Sequence, residues 1–288
     1  SQRVTVLRDG KMVGTRPTAG ATRAELAQMM VGRPVILQYD RPACQAGDIV
    51  LDIRNVTARG DRGSDALKDV SLSLKCGEIL GLAGVSGNGQ RELAECLAGL
   101  RPIRQGQVIL NGKDVTHASP VEHIEAGQSY IPEERMREGA IKDFSVADNY
   151  VLEDHARPPF ARGIFLDFKS ILAHTQASVD AYGVKTPSLH TPLKNLSGGN
   201  IQRVLIARAF SKPANLLVAH NPTRGLDIPS MDFVYTRILD GKARGLATLL
   251  ISEDLDELLL LCDRIAVMYR GELVGIYDRL NEVETRAV

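Results

Sequence analysis

The chain has 288 residues, 44% of them hydrophobic, which suits one large α/β domain with a buried core and a small appendage. Thirty-five basic residues balance thirty-five acidic ones, so no basic field argues for nucleic acid or an anionic membrane surface as partner. No apolar run reaches membrane-spanning length, the leucines at 258–261 being flanked by Asp256, Glu257 and Asp263, and no signal peptide is visible.

Residues 3–14 predict a strand hairpin turning at Gly10, and they parallel a second predicted hairpin at 264–275. Arg3, Val6, Gly10, Val13 and Gly14 recur as Arg264, Val267, Gly271, Val274 and Gly275. Thr22 then caps a helical run that ends at Gly32, and residues 34–47 read as linker. A short apolar strand at 78–83 enters Gly84-Val85-Ser86-Gly87-Asn88-Gly89-Gln90-Arg91 and the helical run 92–98. Strand, Gly-rich loop and helix in that order present bare N–H groups at a helix N-terminus, the arrangement of a phosphate-binding loop.

Further along, Glu133 precedes a helical region in which Phe144, Val146 and Tyr150 have the spacing of core residues. Leu196-Ser197-Gly198-Gly199-Asn200 opens the helical run 201–210. A hydroxyl and bare N–H groups at that end attract phosphate, while the plain alternative is a Ser cap with a glycine turn. Residues 213–219 read as a buried strand running into His220-Asn221-Pro222-Thr223-Arg224-Gly225-Leu226-Asp227, and 249–252 as another strand, followed by Glu253. Cys44, Cys76, Cys96 and Cys262 are scattered without ligand spacing, and His220 has no second His or Cys at such spacing. These features predict incidental thiols in a reducing compartment and no metal site. Residues 281–288 form a polar tail.

The three motifs, in this order, resemble an ATP-binding-cassette (ABC) nucleotide-binding domain over about residues 48–278. The resemblance implies an α/β P-loop NTPase fold, with a RecA-like core, an antiparallel β subdomain and an inserted helical subdomain. The implied domain is 48–280, its helical subdomain about 134–196. Residues 1–47 then resemble the terminal hairpin, helix and linker of a preceding cassette. Gly89-Gln90-Arg91-Glu92-Leu93, Tyr130-Ile131-Pro132-Glu133-Glu134-Arg135 and Arg137-Glu138-Gly139 carry a narrower likeness. It is to the second half of double-cassette ATPases of bacterial importers for simple sugars and nucleosides, and it leans to the nucleoside branch.

Against that family, the catalytic positions are replaced. An active phosphate loop ends in Lys and Ser/Thr, which neutralise the terminal phosphates and hold magnesium; here Gln90 and Arg91 stand there. Gly84, Ser86, Gly87, Asn88 and Gly89 retain backbone N–H groups able to cradle phosphate, Gln90 can donate hydrogen bonds to nucleotide without carrying charge, and Arg91 either turns inward to supply charge or lies on the helix surface. The Asp and Glu expected before Pro222 are His220 and Asn221, and losing a positioned general base is worth roughly 10² to 10⁴ in rate. Glu253 replaces a phosphate-contacting His and would repel phosphate, and Glu133 takes the place of a Gln that faces magnesium and the permease. The resemblance implies that the region from Glu133 through Phe144, Val146 and Tyr150 into the helical subdomain forms the groove for a short permease helix. No aromatic residue between Asp48 and Lys68 is available to stack adenine.

Ser197, Gly198, Gly199, Gln202 and Asp227 survive, so the resemblance implies a half that contributes its signature loop, Ser197 to Gln202, in trans to ATP held by the first half. Its own site would bind nucleotide weakly, hold it without hydrolysis or stay empty. The implied cofactors are ATP and Mg²⁺, the latter mainly at the partner's composite site. The implied partners are the first half, transmembrane permease subunits and, indirectly, an extracytoplasmic substrate-binding protein, with no nucleic acid. The implied place is peripheral, at the cytoplasmic face of the inner membrane. The competing expectations are a self-sufficient ATPase, a cassette acting on DNA or ribosomes, and a purely structural dimerisation half.

Overall fold

The computed structural model describes residues 2–8, 10–31 and 47–278; Cys44, most of the expected linker and the expected tail at 281–288 lie outside them. β1 (Arg3–Arg8) and β2 (Lys11–Pro17) pair antiparallel and lead to α1 (Arg23–Val31). The Thr22 hydroxyl accepts the Glu25 N–H at 3.2 Å and the Glu25 carboxylate accepts the Thr22 N–H at 3.2 Å, a reciprocal cap at the start of that helix. Next come β3 (Ile49–Arg59), β4 (Asp65–Lys75), β5 (Ile79–Ala83), α2 (Gln90–Leu97), β6 (Gln105–Leu110) and β7 (Lys113–Asp114). They are followed by α3 (Pro120–Glu125) and β8 (Gln128–Ile131). The helical subdomain holds a π-helical turn at Arg135–Gly139, α4 (Val146–Val151), the short strands β9 (Ala161–Arg162) and β10 (Phe165–Leu166), and α5 (Phe168–Tyr182). After a 3-10 turn at Leu193–Asn195 the chain returns through α6 (Gly198–Phe210), β11 (Leu216–His220), α7 (Ile228–Ala243) and β12 (Ala247–Ser252). It closes with α8 (Leu255–Leu261), β13 (Arg264–Tyr269) and β14 (Glu272–Asp278).

The main sheet has the order β14-β13-β5-β12-β11-β8, parallel from β13 to β8 with β14 turned back antiparallel. A separate sheet, β4-β3-β6-β7, is antiparallel. This is the expected α/β architecture, a RecA-like core with an antiparallel β subdomain and an inserted helical subdomain. The central strands are continuous apolar runs because both faces are covered. Alternation sends Leu80, Leu82, Leu216, Val218, Leu249 and Ile251 toward the antiparallel sheet and α2, and Ile79, Leu217, Ala219 and Leu250 toward α7 and α8.

Helix α6 belongs to two cores at once. Ile201, Val204 and Leu205 pack with Val146, Val179 and Leu193 of the helical subdomain, while Ile206 and Ala209 pack on the main sheet. The loop that opens α6 is therefore held between two packed bodies. Val146 and Tyr150 are buried core, as their spacing suggests, whereas Phe144 is 45% exposed.

The two hairpins match beyond their sequences. Val6 pairs with Gly14 and Leu7 with Met12, while Val267 pairs with Gly275 and Met268 with Leu273, so the register shifts at the same step in each. The later turn is fixed by Gly271, whose φ of +83° and 2.3 Å clearance between a built Cβ and the Ala66 carbonyl exclude a side chain.

Two buried polar groups test this architecture. Asn149, 0% exposed, accepts the Ile141 N–H at 2.8 Å and shares its amide protons among the carbonyls of Ile141, Ser145 and Phe144. Arg208 clamps the same turn through the Gly139 carbonyl at 2.6 Å. Asn149→Ala leaves several buried groups unpaired at about 1–3 kcal/mol each, and we expect urea unfolding to register a loss of about 3 kcal/mol. A loss below about 1 kcal/mol would mean that the turn is held by other contacts.

Glu257 is 2% exposed on α8, its carboxylate accepting the Thr223 hydroxyl at 2.7 Å and the Ser252 hydroxyl. Burial raises its pKa, with the two hydroxyls pulling back down. Because the folded pKa lies above the unfolded value of about 4.3, its stabilising contribution is complete below that pH and is lost as pH rises through the folded pKa. The stability of Glu257→Gln relative to wild type should therefore grow between pH 4 and pH 8 in urea titrations. A pH-independent difference would contradict the assignment.

Candidate functional site

The Gly-rich loop joins β5 to α2, at the carboxyl edge of the parallel sheet where open α/β folds form their crevice. At its mouth lies a cavity of about 230 Å³ lined by Ser86, Gly87, Gln90, Arg91, Glu133, His220, Asn221 and Glu253. Motifs separated by up to 167 positions in the chain thus converge at one place, Gly84, Asn88 and Gly89 completing the loop behind it. Gly89, at φ +113°, is the residue from which α2 starts.

Within the loop, Gln90 is buried and folds back: its Oε1 accepts the Asn88 N–H at 3.1 Å and its Nε2 donates to the Val85 carbonyl at 3.1 Å. Arg91 lies along the surface of α2, its Nε donating to Glu95 Oε1 at 2.7 Å, with Asp61 at 3.9 Å and Glu138 at 3.8 Å. Of the two readings of Arg91, the structure has the one in which carboxylates of the same chain claim the guanidinium.

The opposite wall comes from the end of β11. Asn221 sits at φ +44°, a conformation Asn tolerates better than most residues. Its Nδ2 donates to Glu133 Oε1 at 3.0 Å and its Oδ1 accepts the Glu253 N–H at 3.1 Å. Arg224 pairs with Glu133, and Arg135 donates to the Arg224 carbonyl. His220 Nε2 lies 3.7 Å from Glu133 Oε2, and burial holds the imidazole pKa below its ordinary value. A neutral imidazole and an amide thus stand where the family has two carboxylates.

These residues do not fit a magnesium ion. Arg91 offers no oxygen and is already paired, and among the described residues no group of three or more His, Cys, Asp or Glu is placed to hold a metal. For a triphosphate the lining is adverse as well, since Glu92, Glu133 and Glu253 face the cavity while Arg91 is neutralised.

The Ser197 loop is a different surface. Ser197, Gly198, Gly199 and Asp227 line a wider cavity of about 890 Å³. Ser197 stands at the cap position of α6, yet its Oγ accepts the side-chain Nδ2 of Asn200 at 2.9 Å rather than a backbone N–H of the first turn, so the plain capping role is not the one it plays. A Cβ on Gly199 would come within 2.8 Å of Ser230 Oγ on α7, so a side chain there would have to displace that hydroxyl. Asp227 caps α7 by accepting the Ser230 N–H at 2.9 Å.

Gln202 is a correction. The helical turn points it inward, 1% exposed, where its Nε2 donates to the Pro222 carbonyl at 2.7 Å, and so it offers nothing at the loop surface. Arg135, Arg224 and Glu257 are the residues that sequence reading missed. Glu257 sits in the acidic run 253–257, which looks like a solvated face, and only its tertiary partners distinguish it.

The comparisons with known proteins agree with this geometry. The ABC transporter family matches over residues 67–224. A glucose import ATP-binding protein of Haloferax volcanii is 46% identical over 94% of this chain and 50% of its own length. A nucleoside import ATP-binding protein of Lactococcus lactis is 37% identical over 96% and 54%, and a guanosine import ATP-binding protein of Bacillus subtilis 38% over 95% and 54%. The chain spans about half the length of these curated relatives. Among solved structures, a nucleotide-free ATP-binding cassette from an ABC transporter superposes with a TM-score of 0.68 at 22% identity, over 83% of this chain and 94% of that one. A dimeric bacterial ABC transporter cassette gives 0.68 at 20% identity, over 80% and 99%. The family match runs from the antiparallel sheet through the Gly-rich loop and the Ser197 loop to the turn after β11, and the fold is shared along most of the chain, which therefore belongs to the ABC transporter family.

Proposed function

We propose that this chain is the ATP-binding part of an importer for simple sugars or nucleosides, peripheral at the cytoplasmic face of the inner membrane. Relatives named for glucose, nucleoside and guanosine import support the substrate class. In the described residues no helix is long and apolar enough to cross a membrane; the proposed partners are transmembrane permease subunits. An extracytoplasmic substrate-binding protein would deliver cargo to that permease.

We read the chain more finely as the second of two cassettes. The matching registers of the hairpins at 3–17 and 264–278 support an earlier cassette ending as this one does. In this reading Ser197, Gly198 and Gly199 close over ATP and Mg²⁺ held by the first half, with Asp227 meeting it beside them. The local site is hydrolytically impaired. One observation carries the reading: an exposed Ser197 loop shares a chain with a phosphate loop whose metal and base positions hold Arg91, His220 and Asn221.

A second reading is a self-sufficient ATPase. The relatives, all named as import ATP-binding proteins, favour it, as does Glu133, a carboxylate inside the cavity in reach of His220.

Turnover of Mg-ATP by this chain alone, by the first half alone and by the two combined separates these readings. We expect turnover only in the combination and a fall of roughly 10²-fold or more with Ser197→Arg, the scale of losing transition-state donors. Turnover by this chain alone would establish the self-sufficient reading. Indifference to Ser197→Arg would leave a purely structural half.

A further inference from the structure

We propose that the phosphate loop carries its own occupant: the Gln90 amide fills the cradle and keeps the local site closed to nucleotide. The inference deepens the reading of this site as impaired, and rests on it. A phosphate loop binds because several backbone N–H groups converge on empty space that an anion can enter. Here that condition fails at the centre of the loop. The Asn88 N–H is taken by Gln90 Oε1 at 3.1 Å, and Gln90 Nε2 returns to the Val85 carbonyl at 3.1 Å.

The fit is tight. A Cβ built on Gly84 would lie 2.3 Å from Gln90 Nε2, so the amide rests directly on the backbone where the loop begins, and Gln90 is only 5% exposed. A glutamine can do this and a lysine cannot, because an amide carries both a donor and an acceptor on a short arm. An ammonium has donors only and leaves the loop N–H groups free.

The loop is also pinned from outside. Asn88 Oδ1 accepts the Arg270 N–H at 2.8 Å and the Asn88 carbonyl accepts the Gly271 N–H at 2.8 Å, while within the loop Asn88 Nδ2 donates to the Val85 carbonyl at 2.8 Å. An entering phosphate has to expel Gln90 from a loop whose tip is tied to the β13–β14 turn. It would do so past Glu133 and Glu253 with Arg91 held by Glu95. The closed loop keeps α2 and the last hairpin in place without a ligand.

The experiment uses the full two-cassette protein. Nucleotide stoichiometry is measured by equilibrium binding of Mg-ATP, and hydrogen exchange is followed in the peptide covering residues 84–91. Wild type should bind one ATP per chain, with the Asn88 amide protected whether or not nucleotide is present. Gln90→Ala should expose that amide in the apo protein and bind a second ATP at least about 10-fold more tightly than wild type can. Gln90→Glu keeps an acceptor for Asn88 and adds negative charge, and it should stay at one ATP; unchanged circular dichroism for both variants excludes unfolding. Two ATP molecules on wild type with the second lost in Gln90→Ala would overturn the proposal, making Gln90 a phosphate ligand. A closed, protected loop in Gln90→Ala would overturn it too. The count at residues 84–91 is independent of the Ser197→Arg result, so failure of the composite-site reading would be seen separately.

Discussion

The turn at residues 221–224 is the constraint on which both functional surfaces depend. Its residues are bound to several elements: Asn221 to Glu133 and to the Glu253 backbone, Pro222 to Gln202 of α6, Thr223 to Glu257 of α8, and Arg224, like Asn221, to Glu133. It leaves β11, a fully buried strand of the main sheet, so its origin is fixed by the main core, and its far end runs directly into Gly225, Leu226 and Asp227. Movement of the Glu133 loop, of α6 or of α8 is therefore felt by the others through a few short hydrogen bonds. Coupling between sites requires a shared element of this kind, whose position each site can bias.

Two residues that line the cavity at the Gly-rich loop, Asn221 and Glu133, also build this junction. A carboxylate at position 221 would repel Glu133 and could not donate to it; the Asn amide donates on one side and accepts on the other. Gln90 uses the same two-sided property within the Gly-rich loop. At both places a neutral amide meets the protein itself, and because buried polar groups cost most when left unpaired, a side chain that both donates and accepts suits each position. The Ser197 loop lies under no such pressure, since what it needs is a rigid base, and α6 supplies one by packing into two cores.

Much of this was legible in the sequence. The apolar runs at 78–83 and 249–252, the Gly-rich loop and the Ser-Gly-Gly loop mark the strand-loop-helix units, because alternation and glycine placement are local properties. The buried strand expected at 213–219 begins at Leu216 instead, since Pro213 cannot donate to a ladder and the residues before Leu216 only approach the sheet. Arg91 and Ser197 each had two readings, and only their neighbours chose: Glu95 and Glu138 for one, Asn200 for the other. Gln202 was misplaced because a motif gives a residue's position along a helix and not the face that the packing of that helix turns inward.

By itself the sequence determined the α/β architecture, the order of the motifs, the likeness of the two hairpins and the presence of His and Asn at positions 220 and 221. Those facts follow from residue type and spacing, which are fixed along the chain. Only the tertiary structure decided that Gln90 folds back onto its own loop, that Glu257 is a buried anchor rather than part of a solvated acidic run, and that residues 221–224 join the two surfaces. The reason is that hydrogen-bond partners of a buried amide or carboxylate come from segments tens of residues away, and burial, which makes those partners necessary, exists only once the segments have packed.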